Sequence, residues 1–136
     1  MAQIAHDQLT EFISDLYSME LQALAQLKDA PKIAGHPSLE ADFAKHCEET
    51  ESQIESVKSR LEARGESPSK TKDAVMKVGG KGFLLFAKLL TETPGRLVAH
   101  AYSFEAMEWA GYEVMAGFAA AADDAESEQK DRSIQA

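Results

Sequence analysis

Cysteine, proline and long apolar runs are all scarce in this sequence, and each scarcity excludes a class of protein. The one cysteine, Cys47, excludes an intrachain disulfide and a cysteine-rich zinc site. The first residues lack the basic start and the continuous apolar core of a signal peptide, and no run approaches the length that spans a bilayer. We therefore expect a cytoplasmic protein that is not bound to a membrane.

Basic side chains are also in deficit. The chain has 14 lysines and arginines against 23 aspartates and glutamates, which gives a formal net charge of -9. Phosphate backbones and anionic lipid surfaces carry the same sign of charge and would be repelled. We therefore expect neither nucleic acid nor a membrane as a partner. The excess of carboxylates is compatible with cation binding, although most surface carboxylates are simply hydrated.

Good helix formers take the place of the scarce residues. Of the 136 residues, 44% are hydrophobic, and Ala, Glu, Leu, Lys and Gln dominate long stretches. Apolar residues recur at spacings of three and four, as on one face of a helix. We predict one all-α domain, a helical bundle over 1–136, with helices at about 7–34, 38–64 and 93–122, a crossover at 66–92, and the start of a short or truncated fourth helix at 124–136.

The ends of these helices have local signals. Pro31 predicts a kinked or restarted last turn before Gly35 ends the first helix. Ser38 is the predicted N-cap of the second helix, and Gly65 the predicted stop. Thr93, followed by a proline, predicts the cap of the third helix. The first two helices should form an antiparallel hairpin, because only a short linker separates them.

Polar residues interrupt the middle of each apolar stripe, and apart from Thr50 they are of kinds that could bind a metal. The interrupting residues are Glu20 in the first helix, His46, Glu49 and Gln53 in the second, and Glu105 and Glu108 in the third. Counted from the linker at about 1.5 Å per residue, Glu20 and Glu49 differ in height by only ~5 Å. Carboxylates buried together repel each other unless protons or metal cations compensate them.

Each of these residues also has a simpler interpretation. The glutamates can lie at the rim of slightly rotated helices, and a histidine such as His46 is more often a core or capping residue than a ligand. Gln53 would then hydrogen-bond to a neighbouring carboxylate. Trp109 and Tyr112 are interpreted as core aromatic residues, although Tyr112 follows Glu108 by one turn and is also placed to contact an oxygen species on a metal.

Three segments resemble a known family. They are Leu16-Tyr17-Ser18-Met19-Glu20, the stretch from His46 to Glu55, and the stretch from Phe104 to Tyr112. Together they resemble the YciE/YciF group of bacterial ferritin-like proteins, which are associated with stress responses. The resemblance extends over about residues 8–122, and its second-helix motif is the most specific of the three.

The resemblance implies a ferritin-like four-helix bundle, a dimer and a carboxylate-bridged di-iron site, with manganese or zinc as alternative metals. By position, Glu20 and Glu49 would be ligands from the first two helices, and Glu105 or Glu108 the ligand from the third. The sequence departs from the wider ferritin pattern in two ways. His46-x-x-Glu49 stands where Glu-x-x-His is expected, and the fourth helix with its carboxylate is almost absent.

Three functions remain open at this point, and so does whether the protein is an enzyme. The first is a metal-binding protein of oxidant protection, iron handling or a small oxidase reaction. The second is a structural or interaction bundle that has lost the metal site, which the two departures favour. The third is an adaptor that binds a partner through the apolar segment from Phe83 to Leu90.

Overall fold

The structure, a computed structural model, describes residues 2–70 and 93–122 together with Arg132. No strand occurs among these residues, which confirms the all-α prediction. Most of the predicted crossover, with its apolar segment, and the predicted start of helix four lie outside the described residues. The helices are α1 (Ala2–Leu27), α2 (Ala30–Ala34), α3 (Pro37–Ala63) and α4 (Pro94–Ala121).

The helix predicted over about 7–34 begins earlier and is divided near its end. It starts at Ala2, and the chain leaves the helix after Leu27 and re-enters it at Ala30. Pro31 lies in the first turn of the short α2, where its missing N–H costs no hydrogen bond. Gly35 ends α2 with φ of 68°, a left-handed conformation that glycine adopts without steric cost.

The cap of α3 is His36, so the prediction of Ser38 was wrong. The backbone N–H of Ser38 donates to His36 Nδ1 at 3.3 Å, and Pro37 is the first helical residue. Because proline is suited to that first position, the residue before it becomes the cap. The other signals are confirmed. Thr93 Oγ1 accepts from the N–H of Arg96 at 3.3 Å, and Gly65 follows α3 with φ of 77°.

Helix α1 packs against both α3 and α4. The backbones of α3 and α4 are close to each other at very few positions. The apolar stripes of all three helices form the larger core. Its buried members are Leu9, Ile13, Leu16, Tyr17, Ile54, Val57, Leu61, Tyr112, Met115, Ala119 and Ala122. A smaller cluster of Ala30, Ala34 and Phe43 closes the other end. Between the two clusters, α3 and α4 border a groove whose floor is α1.

None of the described helices combines the length and the apolar character that crossing a bilayer requires. Helix α4 nevertheless exposes large apolar side chains on the surface that α1 does not cover. Tyr102 is 77% exposed and Trp109 is 56% exposed. Trp109 was interpreted as a core residue, and this was wrong because it lies beyond the arc of α4 that faces α1.

Replacing Ile13 by alanine should lower the free energy of unfolding by roughly 3 kcal/mol, because its side chain is fully buried between the three long helices. The matched control is Ile4→Ala on the same helix, where the side chain is 60% exposed and the expected change is under about 0.5 kcal/mol. Urea unfolding followed by circular dichroism measures both. Equal effects of the two substitutions would contradict the packing of α1 described above.

Candidate metal centre

Glu20 is the most deeply placed polar residue of the groove. It occupies an inward position of the α1 stripe, and its side chain is fully buried, as the sequence predicts. Leu16 and Ala23, one turn away on either side, are buried as well. The apolar spacing that holds α1 in the bundle therefore also fixes the carboxyl group inside it.

Both oxygens of Glu20 receive hydrogen bonds from neighbouring helices. The hydroxyl of Tyr112 on α4 donates to Glu20 Oε1 at 2.6 Å. When the amide of Gln53 on α3 is oriented with its nitrogen towards Glu20, that nitrogen lies 3.3 Å from Oε1 and 3.2 Å from Oε2. Gln53 thus contacts a neighbouring carboxylate, as in the simpler interpretation. The bonds from Tyr112 and Gln53 partly replace the hydration that Glu20 loses on burial.

The carboxyl of Glu108 on α4 lies beside that of Glu20, and each carboxyl shifts the pKa of the other. Burial raises the pKa of Glu108 to about 9, and the hydrogen bond and charge repulsion from Glu20 act in the same direction. Burial also raises the pKa of Glu20 above its ordinary value, while the hydrogen bonds from Glu108 and Tyr112 oppose that rise. The carboxyl pair therefore keeps a proton at neutral pH.

A second group of charged residues lies at the rim of the groove. His46 Nε2 on α3 is 2.7 Å from Glu105 Oε1 on α4, a contact that joins the two helices. Glu49 Oε1 is 3.4 Å from Lys45 Nζ, and Glu49 Oε2 is 3.7 Å from His46 Nδ1. The side chains of His46, Glu49 and Glu105 are each about half exposed. Glu49 and Glu105 therefore match the rim interpretation, whereas Glu20 does not, and the half-exposed His46 is not a core residue.

A cavity of about 190 Å³, here called the polar cavity, joins the rim to the buried pair. Five of the six residues predicted as metal ligands line it, and Glu20 contacts the cavity-lining Gln53 and Tyr112. The lining residues are His46, Glu49, Thr50, Gln53, Glu105, Glu108, Trp109 and Tyr112. The predicted heights of these residues along the bundle were correct to about one helical turn. Glu20 contacts Gln53, which lies one turn after the predicted neighbour Glu49.

The side chains around the polar cavity do not form a ligand shell as they stand. Within residues 2–70 and 93–122, no group of three or more His, Cys, Asp and Glu side chains is arranged to hold a metal ion. Glu20 faces a hydroxyl and an amide, and His46 is directed at Glu105. In contrast, Glu108 Oε1 is buried and has no hydrogen-bond partner. The metal site therefore stays a prediction.

The sequence reasoning missed two features of this region. The first is the direct bond from Tyr112 to Glu20, for which the only signal was the position of Tyr112 one turn after Glu108. The second is an apolar cavity of about 250 Å³ beside the polar one. Its signal was the recurrence of alanines at inward positions, among them Ala23, Ala30 and Ala101, which leave space between the helices.

The chain matches the family model described as "Domain of unknown function (DUF892)" over residues 4–134. This match covers nearly the whole sequence. No curated protein and no solved structure matches the chain. The description of the family names no activity, ligand or partner.

Without metal, the chain should become less stable as the pH rises from about 4.5 to about 9. In this window the folded state keeps the Glu108 proton and the unfolded state releases it. The stabilisation is thus complete below pH 4.5 and lost by pH 9. One proton gives a slope of at most about 1.4 kcal/mol per pH unit, and the partial exposure of Glu108 reduces the total change in stability across the window. Urea unfolding in chelator, repeated across this range, measures the slope.

Glu108→Gln should flatten this dependence, because glutamine still donates to Glu20 but cannot ionise. The variant should therefore be more stable than the natural chain at pH 8.5. Glu113→Gln is the matched control, since Glu113 is exposed on the same helix, and it should leave the slope unchanged. If the slope of the natural chain matched that of Glu108→Gln, the carboxyl pair would not share a proton as described.

Proposed function

This chain belongs to the DUF892 family, and from that premise we propose that it is a ferritin-like, metal-binding bundle protein that handles iron in a bacterial stress response. Its ferritin-like character is supported by the three long helices, by the resemblance to the YciE/YciF group, and by the carboxylates at the middle of the bundle. Iron is the metal proposed first, with manganese and zinc as alternatives.

One observation carries the proposal, namely the carboxyl pair of buried Glu20 and partly buried Glu108 beside a cavity lined by further carboxylate and imidazole groups. Burying two carboxyls at one place costs several kcal/mol unless a cation or a proton neutralises them. A proton does so in the metal-free chain. A divalent cation in its place would neutralise both carboxylates and would also interact with the rim.

The residues fit a metal ion in chemical type. The polar cavity and its floor offer oxygens from Glu20, Glu49, Glu105 and Glu108, and nitrogen from His46. Carboxylate oxygen and imidazole nitrogen suit Fe²⁺, Mn²⁺ and Zn²⁺. The Oε1 atom of Glu108 is buried and has no hydrogen-bond partner, so it is available as a metal ligand. Bound iron would supply one-electron redox chemistry, which oxidant protection requires.

The surrounding residues then have distinct tasks. Tyr112 and Gln53 fix the orientation of the Glu20 carboxylate, so that it need not reorganise when a cation arrives. Glu49 and Glu105 attract cations at the half-exposed rim. His46 must leave Glu105 before its Nε2 is free to serve as a ligand, because that atom now lies 2.7 Å from Glu105 Oε1.

A second candidate function is a bundle in which the same residues are purely structural. The specific observation in its favour is that Tyr112 and Gln53 already satisfy the oxygens of Glu20. In that case the carboxyl pair serves to align α1, α3 and α4 with one another. Metal content separates the two functions.

We also propose that the chain forms a dimer. The exposed aromatic side chains of α4, Tyr102 and Trp109, support this proposal, because large exposed apolar surfaces mark interaction sites in soluble proteins. Analytical ultracentrifugation across a range of concentrations tests it, and a monomer at all concentrations would contradict it.

The natural chain, purified without chelator, should contain iron or manganese at close to one or two ions per subunit by plasma mass spectrometry. The double variant Glu20→Gln with Glu108→Gln should contain almost none, because both central carboxylates are gone while the hydrogen-bonding shape is kept. The matched control is Glu11→Gln with Glu113→Gln, which changes the net charge equally at two exposed positions. Absence of metal from the natural chain, even after reconstitution with ferrous iron, would leave the structural function.

Metal binding at pH 7 should release roughly one proton per site, because Glu108 must lose the proton that its pKa of about 9 retains. Calorimetric titration with Mn²⁺ in buffers of different ionisation enthalpy measures the number released. Glu113→Gln should release the same number as the natural chain. A heat of binding that is independent of the buffer would show that the metal binds elsewhere.

A further inference from the structure

The cavity of about 250 Å³ beside the polar cavity, here called the apolar chamber, extends along the same groove towards α2. Its walls are mainly hydrocarbon, contributed among others by Leu27, Ala30, Phe43, Leu97 and Ala101. The chamber adjoins the polar cavity. Four residues, His46, Thr50, Glu105 and Glu108, line both spaces.

The size of the apolar chamber suits a small ligand. An apolar cavity of about 150 Å³ holds benzene, and pockets for drug-sized ligands measure about 300–1,000 Å³. At about 250 Å³ the chamber lies between these values. It therefore matches one aromatic ring with a short side chain, or a branched aliphatic group of similar volume.

Charge determines which kind of polar group such a ligand can carry. No lysine or arginine is among the described residues that line the chamber, whereas Asp42, Glu105 and Glu108 are. Glu105 is the best placed of the three carboxyls. It lies where the chamber meets the polar cavity, and its half-exposed side chain contacts His46 through one oxygen. An anionic head group would be repelled here, and an ammonium group would be attracted.

We propose that the apolar chamber binds a small amphipathic amine, with its hydrocarbon body between Phe43, Leu97 and Ala101 and its ammonium group at Glu105. Burial of the hydrocarbon supplies most of the affinity, and the carboxylate supplies the selection for a cation. This binding requires no metal. A test of amine binding is therefore independent of whether the protein binds a metal.

The test uses the full chain in chelator at pH 7 with three probes of nearly equal shape. They are 2-phenylethylamine, 2-phenylethanol and phenylacetate, which carry a positive charge, no charge and a negative charge. Titrations followed by ¹⁵N backbone amide shifts should give a dissociation constant on the order of 1 mM for the amine. The alcohol should bind at least about five-fold more weakly, and phenylacetate more weakly still.

Two variants locate the site. Ala101→Leu fills the chamber and should weaken binding of the amine by about ten-fold or more. Ala106→Leu is its matched control, because it makes the same change at an exposed position of α4, and it should leave the affinity unchanged. Glu105→Gln should reduce the affinity for the amine to that for the alcohol and leave the alcohol itself unaffected. Circular dichroism verifies that each variant is folded.

Three results would overturn the proposal. Absence of binding by all three probes at about 10 mM would mean that the chamber is occupied by other residues of the chain or by a second copy. Equal affinities for the amine and the alcohol would show that the chamber does not select a positively charged ligand. Binding that survives Ala101→Leu would place the ligand elsewhere. The probe series on the natural chain decides the matter if Ala101→Leu does not fold.

Discussion

The burial of the Glu20 carboxyl is the constraint on which the rest of this bundle depends. A carboxylate without hydration is among the most costly groups to enclose, and here it sits on the helix that contacts both of the others. Gln53 from α3 and Tyr112 from α4 supply the hydrogen bonds that make its burial tolerable. Because these donors come from different helices, they also set the register of α3 and α4 against α1, with an apolar cluster on either side.

The same arrangement explains why a structural and a metal-binding function are so close to each other. A carboxyl pair that shares a proton is stable without metal, yet its second carboxyl has a buried oxygen with no partner. In the proposed function, proton and cation would compete for one place, and the outcome would depend on pH and on the metal concentration rather than on a change of fold. The rim residues strengthen the attraction for cations, but His46 and Glu105 neutralise part of each other through their own contact.

Sequence periodicity was sufficient to predict what each helix presents to its neighbours, but not the fine rotation of the helices. The inward position of Glu20 was predicted from its place in an apolar series. The cap at Thr93 and the helix end at Gly65 were predicted from local backbone rules. Whether Glu49, Glu105 and Trp109 are buried depends on small rotations of a helix about its axis, which a three-and-four spacing does not resolve. The bond between Tyr112 and Glu20 joins residues 92 positions apart, and no local rule predicts it. Ser38 failed as a cap because Pro37 occupies the first helical position, which makes His36 the cap whose ring accepts from the N–H of Ser38.

The two cavities are not independent, because Glu105 and Glu108 line both. The hydrocarbon walls of the apolar chamber limit the water that reaches Glu108 from that side, and this contributes to the cost of ionising it. An ammonium group at the junction would favour the ionised carboxylate, as a metal ion does, but would also repel a cation in the polar cavity at short range. Linkage then requires that each ligand weakens the binding of the other by the same factor. If both proposed ligands bind, the shared carboxyls, rather than the fold itself, would couple the two spaces.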